Sequence, residues 1–349
     1  MTRLRLAVSL SALLILGVTP VSAQDTEVRV GWCTPNLDAS STAPFAVADE
    51  FGWFAQKKIK VKLVPLAGSG DCVLNVTTGQ VKTAFAAPEA VAIVAAKGVP
   101  VQYFYTGFNR NMFGIAVPAS GKLASYKDLE GQRIGVLSMS SVGVVVAKSV
   151  IEAAGMNPDR DVKIVVSGSP AQSKVLLENG EIAAVSMWDM VYETIASAGL
   201  PLRKLPDPGI DNFPSNGFVA LQSTIEKEGD ILAAVARGYA MGSIYIRDNP
   251  EAAARLSLKH YPQTRSTGLS EDEDVKRSLP NLIAVTRLWA LPPGRNEWGF
   301  NDAAQYQSYI DWLVARKVLE KKLTGEQIVA NALIKKINDF DPKVASKPK

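Results

Sequence analysis

The chain is poor in the residues that most enzyme chemistry needs. In 349 residues it has one histidine, His260, and two cysteines, Cys33 and Cys72. A single imidazole removes most metal sites and most His-base chemistry. His260 lies in a basic, helix-like stretch far in sequence from either cysteine, so it reads as a surface or packing residue and not as the base of a thiol nucleophile. The sequence also contains no Gly-x-Ser-x-Gly elbow and no Gly-x-x-x-x-Gly-Lys-(Ser/Thr) phosphate loop. Nothing calls for a cofactor, and none is expected. An excess of one charge is missing as well: 38 basic against 34 acidic residues, a net +4, is too even for a nucleic-acid binder. What remains is an ordinary globular composition, 47% hydrophobic and 21% charged, with length for about two domains.

The first residues stand apart. Arg3 and Arg5 precede an apolar run over residues 6–18, followed by small residues ending at Ala23. A basic start, a short apolar middle and small residues at the end predict a secretory signal cleaved after Ala23. The run falls short of the roughly 20 apolar residues a bilayer span needs, and no Leu-x-x-Cys pattern precedes Cys33. The expected product is free in the periplasm, and cleavage lowers the charge by the two arginines. In that oxidising compartment an even pair of cysteines reads first as a Cys33–Cys72 disulfide, with two buried thiols as the alternative.

From residue 27 strand-like and helix-like segments alternate. Strands are expected at 28–32, 60–66, 82–87 and 101–106, then at 133–137, 162–166 and 182–187. The helices between them are closed by glycines at Gly79, Gly98, Gly155 and Gly180. This order predicts mostly parallel sheets flanked by helices, followed by a helical C-terminal third. The predicted organisation is a first lobe over 24–109, a second over 110–213 and a return to the first over 214–349. The crossings are placed at 108–113 and 210–217, where a hinge would allow closure around a ligand. The acidic run at 271–274 is expected in a solvated loop.

Several pieces, in this order, resemble the periplasmic solute-binding proteins for nitrate, sulfonates, taurine and thiamine-type pyrimidines. They are Phe-Gly-Trp-Phe at 51–54, Gly-Ser-Gly at 68–70, Lys-Gly-Val-Pro at 97–100, Leu-Glu-Gly-Gln-Arg-Ile-Gly-Val at 129–136 and Leu-Glu-Asn-Gly-Glu-Ile-Ala-Ala at 177–184. Asn-Pro-Glu-Ala-Ala at 249–253 and Ile-Asn-Asp-Phe at 337–340 continue the likeness, which spans residues 28–340. The resemblance implies a two-lobed α/β type II binding-protein fold that delivers a solute to an inner-membrane ABC permease and its ATPase. The protein is expected to act as a monomer.

Ligands in open parallel sheets bind beyond the carboxyl ends of the strands. In the first lobe this nominates Trp32, Asn36, Gly68, Ser69, Ala87 and Glu89. In the second it nominates Ser138, Ser140, Ser141, Trp188 and Asp189. The serine-rich turn, with the N–H groups of the helix start behind it, suits an anionic head group. Trp188 and Phe45 are the aromatics expected to stack on an organic body. The expected cargo is therefore a sulfonate- or carboxylate-type anion. A nitrogenous heterocycle or amine is the alternative, because Glu89 or Asp189 facing the cleft would favour it. A periplasmic sensor subunit and a pyrimidine-synthase-like enzyme are the other classes weighed. The enzyme is disfavoured by the shortage of cysteine and histidine.

Overall fold

The computed structural model describes residues 25–206, 209–320 and 323–347. The segment read as a signal peptide lies outside them. Among the described residues no helix is long and apolar enough to cross a membrane.

The first sheet has the order β2-β1-β3-β10-β4, from β1 (Thr26–Trp32), β2 (Ile59–Pro65), β3 (Thr83–Ala86), β4 (Val101–Thr106) and β10 (Gly217–Leu221). The second has the order β7-β6-β8-β5-β9, from β5 (Phe113–Pro118), β6 (Arg133–Val136), β7 (Lys163–Val166), β8 (Ala184–Trp188) and β9 (Leu202–Lys204). Each sheet is parallel except for one inserted strand: β10 runs antiparallel to β3 and β4, and β5 to β8 and β9. That strand is the one the chain adds directly after crossing between sheets. Burial follows position. Edge strand β2 alternates buried Ile59, Val61 and Leu63 with exposed lysines, whereas central β3 is buried throughout, as a strand covered on both faces must be.

Helices cover the sheets. Those of the two α/β units are α1 (Ala39–Glu50), α2 (Ser69–Thr77), α3 (Pro88–Ala96), α4 (Val142–Ala153), α5 (Pro170–Glu178) and α6 (Asp189–Ser197). The C-terminal third adds α7 (Gln222–Lys227), α8 (Gly229–Asp248), α9 (Pro250–His260), α10 (Glu271–Leu288) and α11 (Ala303–Ala315). Asp38 caps α1 through a reciprocal box with Ser41, and the helix is buried under α8 and α9. Gly242 of α8 lies so close that a Cβ there would sit 2.2 Å from the Pro44 carbonyl oxygen.

Two expectations about the C-terminal third are corrected. The acidic run at 271–274 is the first turn of α10, capped by Ser270, because four carboxylates favour the positive end of a helix. Asp274 is buried there and accepts bonds from the backbone and hydroxyl of Ser266. Residues 325–338, expected to be helical, form two single turns separated by residues 329–333, of which Val329 bridges to Tyr103 in β4.

Candidate functional site

The chain leaves the first sheet over residues 107–112 and returns over 205–216. The two crossings are tied together. The N–H groups of Gly107 and Phe108 donate to the Asn216 carbonyl at 3.1 and 2.8 Å, and that of Ser215 donates to the Phe108 carbonyl at 2.9 Å. Gln305 of α11 holds both from outside, donating its amide to the Asn212 and Asn109 carbonyls at 2.7 and 3.3 Å. A paired ribbon of this kind bends as one element, which suits a hinge.

A cleft of about 430 Å³ lies against these paired crossings, with Phe108, Met112 and Asn216 in its lining. Its first-lobe wall is the segment 32–40, Gly68, Ser69 and Phe85. The facing wall is Phe113, Leu137, Ser141, Val142, Trp188 and the inner face of α6. Aromatic rings stand on both walls: Trp32 stacks on Phe85 at 4.8 Å, and Phe113 meets Trp188 edge-on at 6.2 Å. Met112, Met187 and Met190 add to the lining. The charged side chains of the lining, among the described residues, are Asp38, Glu193 and Arg277. Arg277 is itself paired with Asp274 at 3.7 Å. The cleft thus has an apolar, aromatic body and more carboxylate than cation.

Cys33 and Cys72 are disulfide-bonded, with Cα atoms 5.7 Å apart. The bond ties the cleft-lining segment 33–38 to α2, whose first residue is Ser69. Ser69 is held in turn, its hydroxyl accepting from the Ala87 N–H at 3.1 Å.

Of the residues nominated from sequence, Trp32, Asn36, Gly68, Ser69, Ser141 and Trp188 line the cleft. The structure does not bring the other six there. Phe45 is wholly buried in the first-lobe core between Trp32, Phe54, Phe218 and Tyr239, because its helix lies under the sheet. Ala87 contributes only its backbone N–H to Ser69. Glu89 is not in the lining: it is 1% exposed and accepts a bond from the Tyr309 hydroxyl. Burial pushes its carboxyl up to about 7, against the lowering effect of that bond. Asp189 pairs with Lys204 at 3.1 Å, and burial raises its carboxyl against the pull of that lysine. The acidic residues taken from sequence as evidence for an amine are therefore not the ones in the cleft.

Ser138 and Ser140 do something else. Both hydroxyls donate to the Ala67 carbonyl across the cleft, Ser140 at 3.1 Å, and the Gly70 N–H donates back to the Ser140 carbonyl at 3.3 Å. They join the two walls. Gly68 permits the approach: it has φ +142°, and a Cβ there would lie 2.8 Å from the Ser140 carbonyl oxygen. Ser141 remains as the polar group of that turn in the cleft. It precedes α4 without capping it, is 6% exposed, and its hydroxyl has no partner among the described residues.

Sequence reasoning missed Asp38, Asn216 and the stripe Arg277, Ser278, Asn281 and Val285 on α10. Asp38 follows the same strand end as Asn36, two residues further along the chain. The α10 stripe has helical spacing, but spacing alone does not say what faces it.

Two sheets joined by a double crossing, with a lined cleft between them, define a substrate-binding protein of the periplasmic-binding-protein fold. The sequence matches the NMT1/THI5-like family over residues 39–253, and the chain belongs to that family. It is 21% identical over 282 residues to the formylaminopyrimidine-binding protein of Halalkalibacterium halodurans, covering 80% of this chain and 83% of that one. It is 24% identical over 263 residues to the riboflavin-binding protein RibY of Chloroflexus aurantiacus, covering 74% of each. Among solved structures, the alkanesulfonate-binding protein SsuA of Xanthomonas axonopodis, bound to MOPS, superposes with a TM-score of 0.64 at 16% identity, over 88% of this chain and 99% of that one.

Proposed function

We propose that the protein captures a flat, ring-bearing organic solute in the cleft and delivers it to a membrane ABC permease driven by a separate ATPase. It works as an exported monomer in the periplasm and does no chemistry on its cargo. The observation that carries this reading is the cleft lining: aromatic rings on both walls and few charged side chains. A ring slotted between such walls buries its faces, and offset or edge-on aromatic contacts add roughly 0.5–1.5 kcal/mol each beyond area. A small hydrated anion gains nothing from them. The relatives that bind a pyrimidine and a flavin support the same class.

One feature favours an acceptor group on the ring. The Ser141 hydroxyl stands at the N-terminus of α4, where free N–H groups attract oxygen. A carboxylate, sulfonate or ring carbonyl at that end is compatible with the site.

A thermal-shift screen tests the reading. Riboflavin, aminopyrimidines, benzoate, benzamide and toluenesulfonate form the ring set; nitrate and taurine form the other. Binding to the native state raises the melting temperature by mass action. Members of the ring set are expected to raise it and to be recovered unchanged. Stabilisation by nitrate or taurine alone sinks the proposal, as does conversion of a bound compound.

A further inference from the structure

The α10 end of the cleft is built to accept hydrogen bonds, and this deepens the proposal above, on which it rests. Asn281 lines the cleft and is 9% exposed. Its amide nitrogen donates to Asp38 Oδ2 at 3.1 Å. Asp38 is fixed independently by the cap of α1: its Oδ1 accepts from the Ser40 hydroxyl at 2.7 Å and from the Ser41 N–H and hydroxyl, each at 3.0 Å. A carboxylate only accepts, so the NH₂ of Asn281 must face it; the flipped amide would set oxygen against oxygen. Asn281 Oδ1 is thereby turned away from Asp38, and it has no partner among the described residues.

A buried carbonyl without a donor costs about 1–3 kcal/mol. Asp38 lies beside it in the lining, so two acceptors share this end of the cleft, and the lining cation, Arg277, is engaged with Asp274. Elsewhere in the lining Ser141 supplies a hydroxyl beside a helix N-terminus.

We infer that Asn281, oriented by Asp38, is a specificity-determining residue that reads an N–H or O–H donor on the solute, so that the cargo is an amino-, amide- or imide-bearing ring. A ring bearing only a sulfonate or carboxylate leaves Asn281 Oδ1 unmet and meets the Asp38 carboxylate with like charge. Dialkylation of the donor nitrogen has the same first effect without adding charge.

The test uses the full chain and matched probes: 4-aminopyrimidine with its 4-dimethylamino counterpart, and benzamide with N,N-dimethylbenzamide. Titration calorimetry gives the affinity ratio within each pair for the wild type, Asn281→Leu and Ser141→Ala. The wild type is expected to prefer the donor-bearing member by about tenfold or more. In N281L that ratio falls toward one because the donor-bearing member weakens, while the dialkylated member keeps its affinity. S141A weakens both members and preserves the ratio, which separates recognition of the donor from a general loss of the cleft. Should N281L fail to fold, Asn281→Ser takes its place, with the same collapse expected. An unchanged ratio in the Asn281 variant, or wild-type indifference to dialkylation, overturns the role of Asn281 while leaving a ring-binding cleft intact. Failure of every ring probe, with binding of taurine or nitrate, overturns the ring reading itself.

Discussion

The hydroxyl of Tyr309 donates to the carboxyl of Glu89, and both side chains are buried outside the cleft lining. Phe213, on the return crossing, stacks on Tyr309 at 4.6 Å. A buried acid is thus one ring removed from the return crossing. Its carboxyl, pushed up to about 7 by burial from an ordinary 4.5, holds a proton in the folded protein that the unfolded chain releases.

The sign of the pH dependence follows. The folded pKa lies above the unfolded one, so the contribution of Glu89 is most favourable below about pH 4.5. It declines as pH rises toward 7 and is flat beyond. The loss is on the order of 2–4 kcal/mol. Asp49, raised to about 6 by burial, works in the same direction, so Glu89→Gln is needed to isolate the effect. The variant is expected to unfold at higher urea than the wild type at pH 8 and to differ little at pH 5. Equal denaturation midpoints at pH 8 would mean that Glu89 carries no such penalty.

The contact of Ser138 and Ser140 with the Ala67 carbonyl is expected to hold the two walls together. Replacing both serines with alanine leaves a carbonyl without its donors, at about 1–3 kcal/mol. Gly68→Ala adds a Cβ against Ser140 at a backbone angle suited to glycine. Both variants are expected to enlarge the radius of gyration in solution scattering and to speed solute release. Scattering profiles identical to the wild type would show that the contact does not govern opening.

Loss of the Cys33–Cys72 bond acts on stability and on the cleft together, because Cys33 begins a lining segment. C33S/C72S is expected to lose roughly 2–4 kcal/mol of stability. Solute affinity should fall as well, since segment 33–38 and Ser69 are no longer tied. Alkylation of both thiols in exported, unreduced protein would refute the bond.

Two aromatics separate core from cleft. Phe45→Ala empties a fully buried site and is expected to cost about 3–5 kcal/mol in unfolding experiments. Trp188→Ala, half-buried at the cleft wall, is expected to lower solute affinity about tenfold with a smaller effect on stability. A Trp188 variant that binds ring compounds as well as the wild type would remove that wall from the site.

The order of strands and helices was legible because it is written locally. Alternation in β2, glycines closing α2 to α5, and the proline starts of α3 and α9 each act within a few residues. The same local rules put the acidic run in a loop, because its helical role depends on Ser270 capping a helix whose apolar face is packed elsewhere. Within the site, strand ends pointed to Trp32, Ser69, Ser141 and Trp188 since the ends of parallel strands gather at one rim.

What the sequence alone determined was the class of architecture, two α/β units with a helical third, and the poverty of catalytic groups. Tertiary structure decided which polar atoms are spent and which remain. Nominated side chains such as Glu89, Asp189, Ser138 and Ser140 found partners on other segments, while Asn281 reached the cleft from the helical third. A hydrogen bond is satisfied by whatever lies within about 3 Å, and chain separation says nothing about that distance. The identity of the cleft therefore rests on pairings such as Asn281 with Asp38, which only the folded chain brings together.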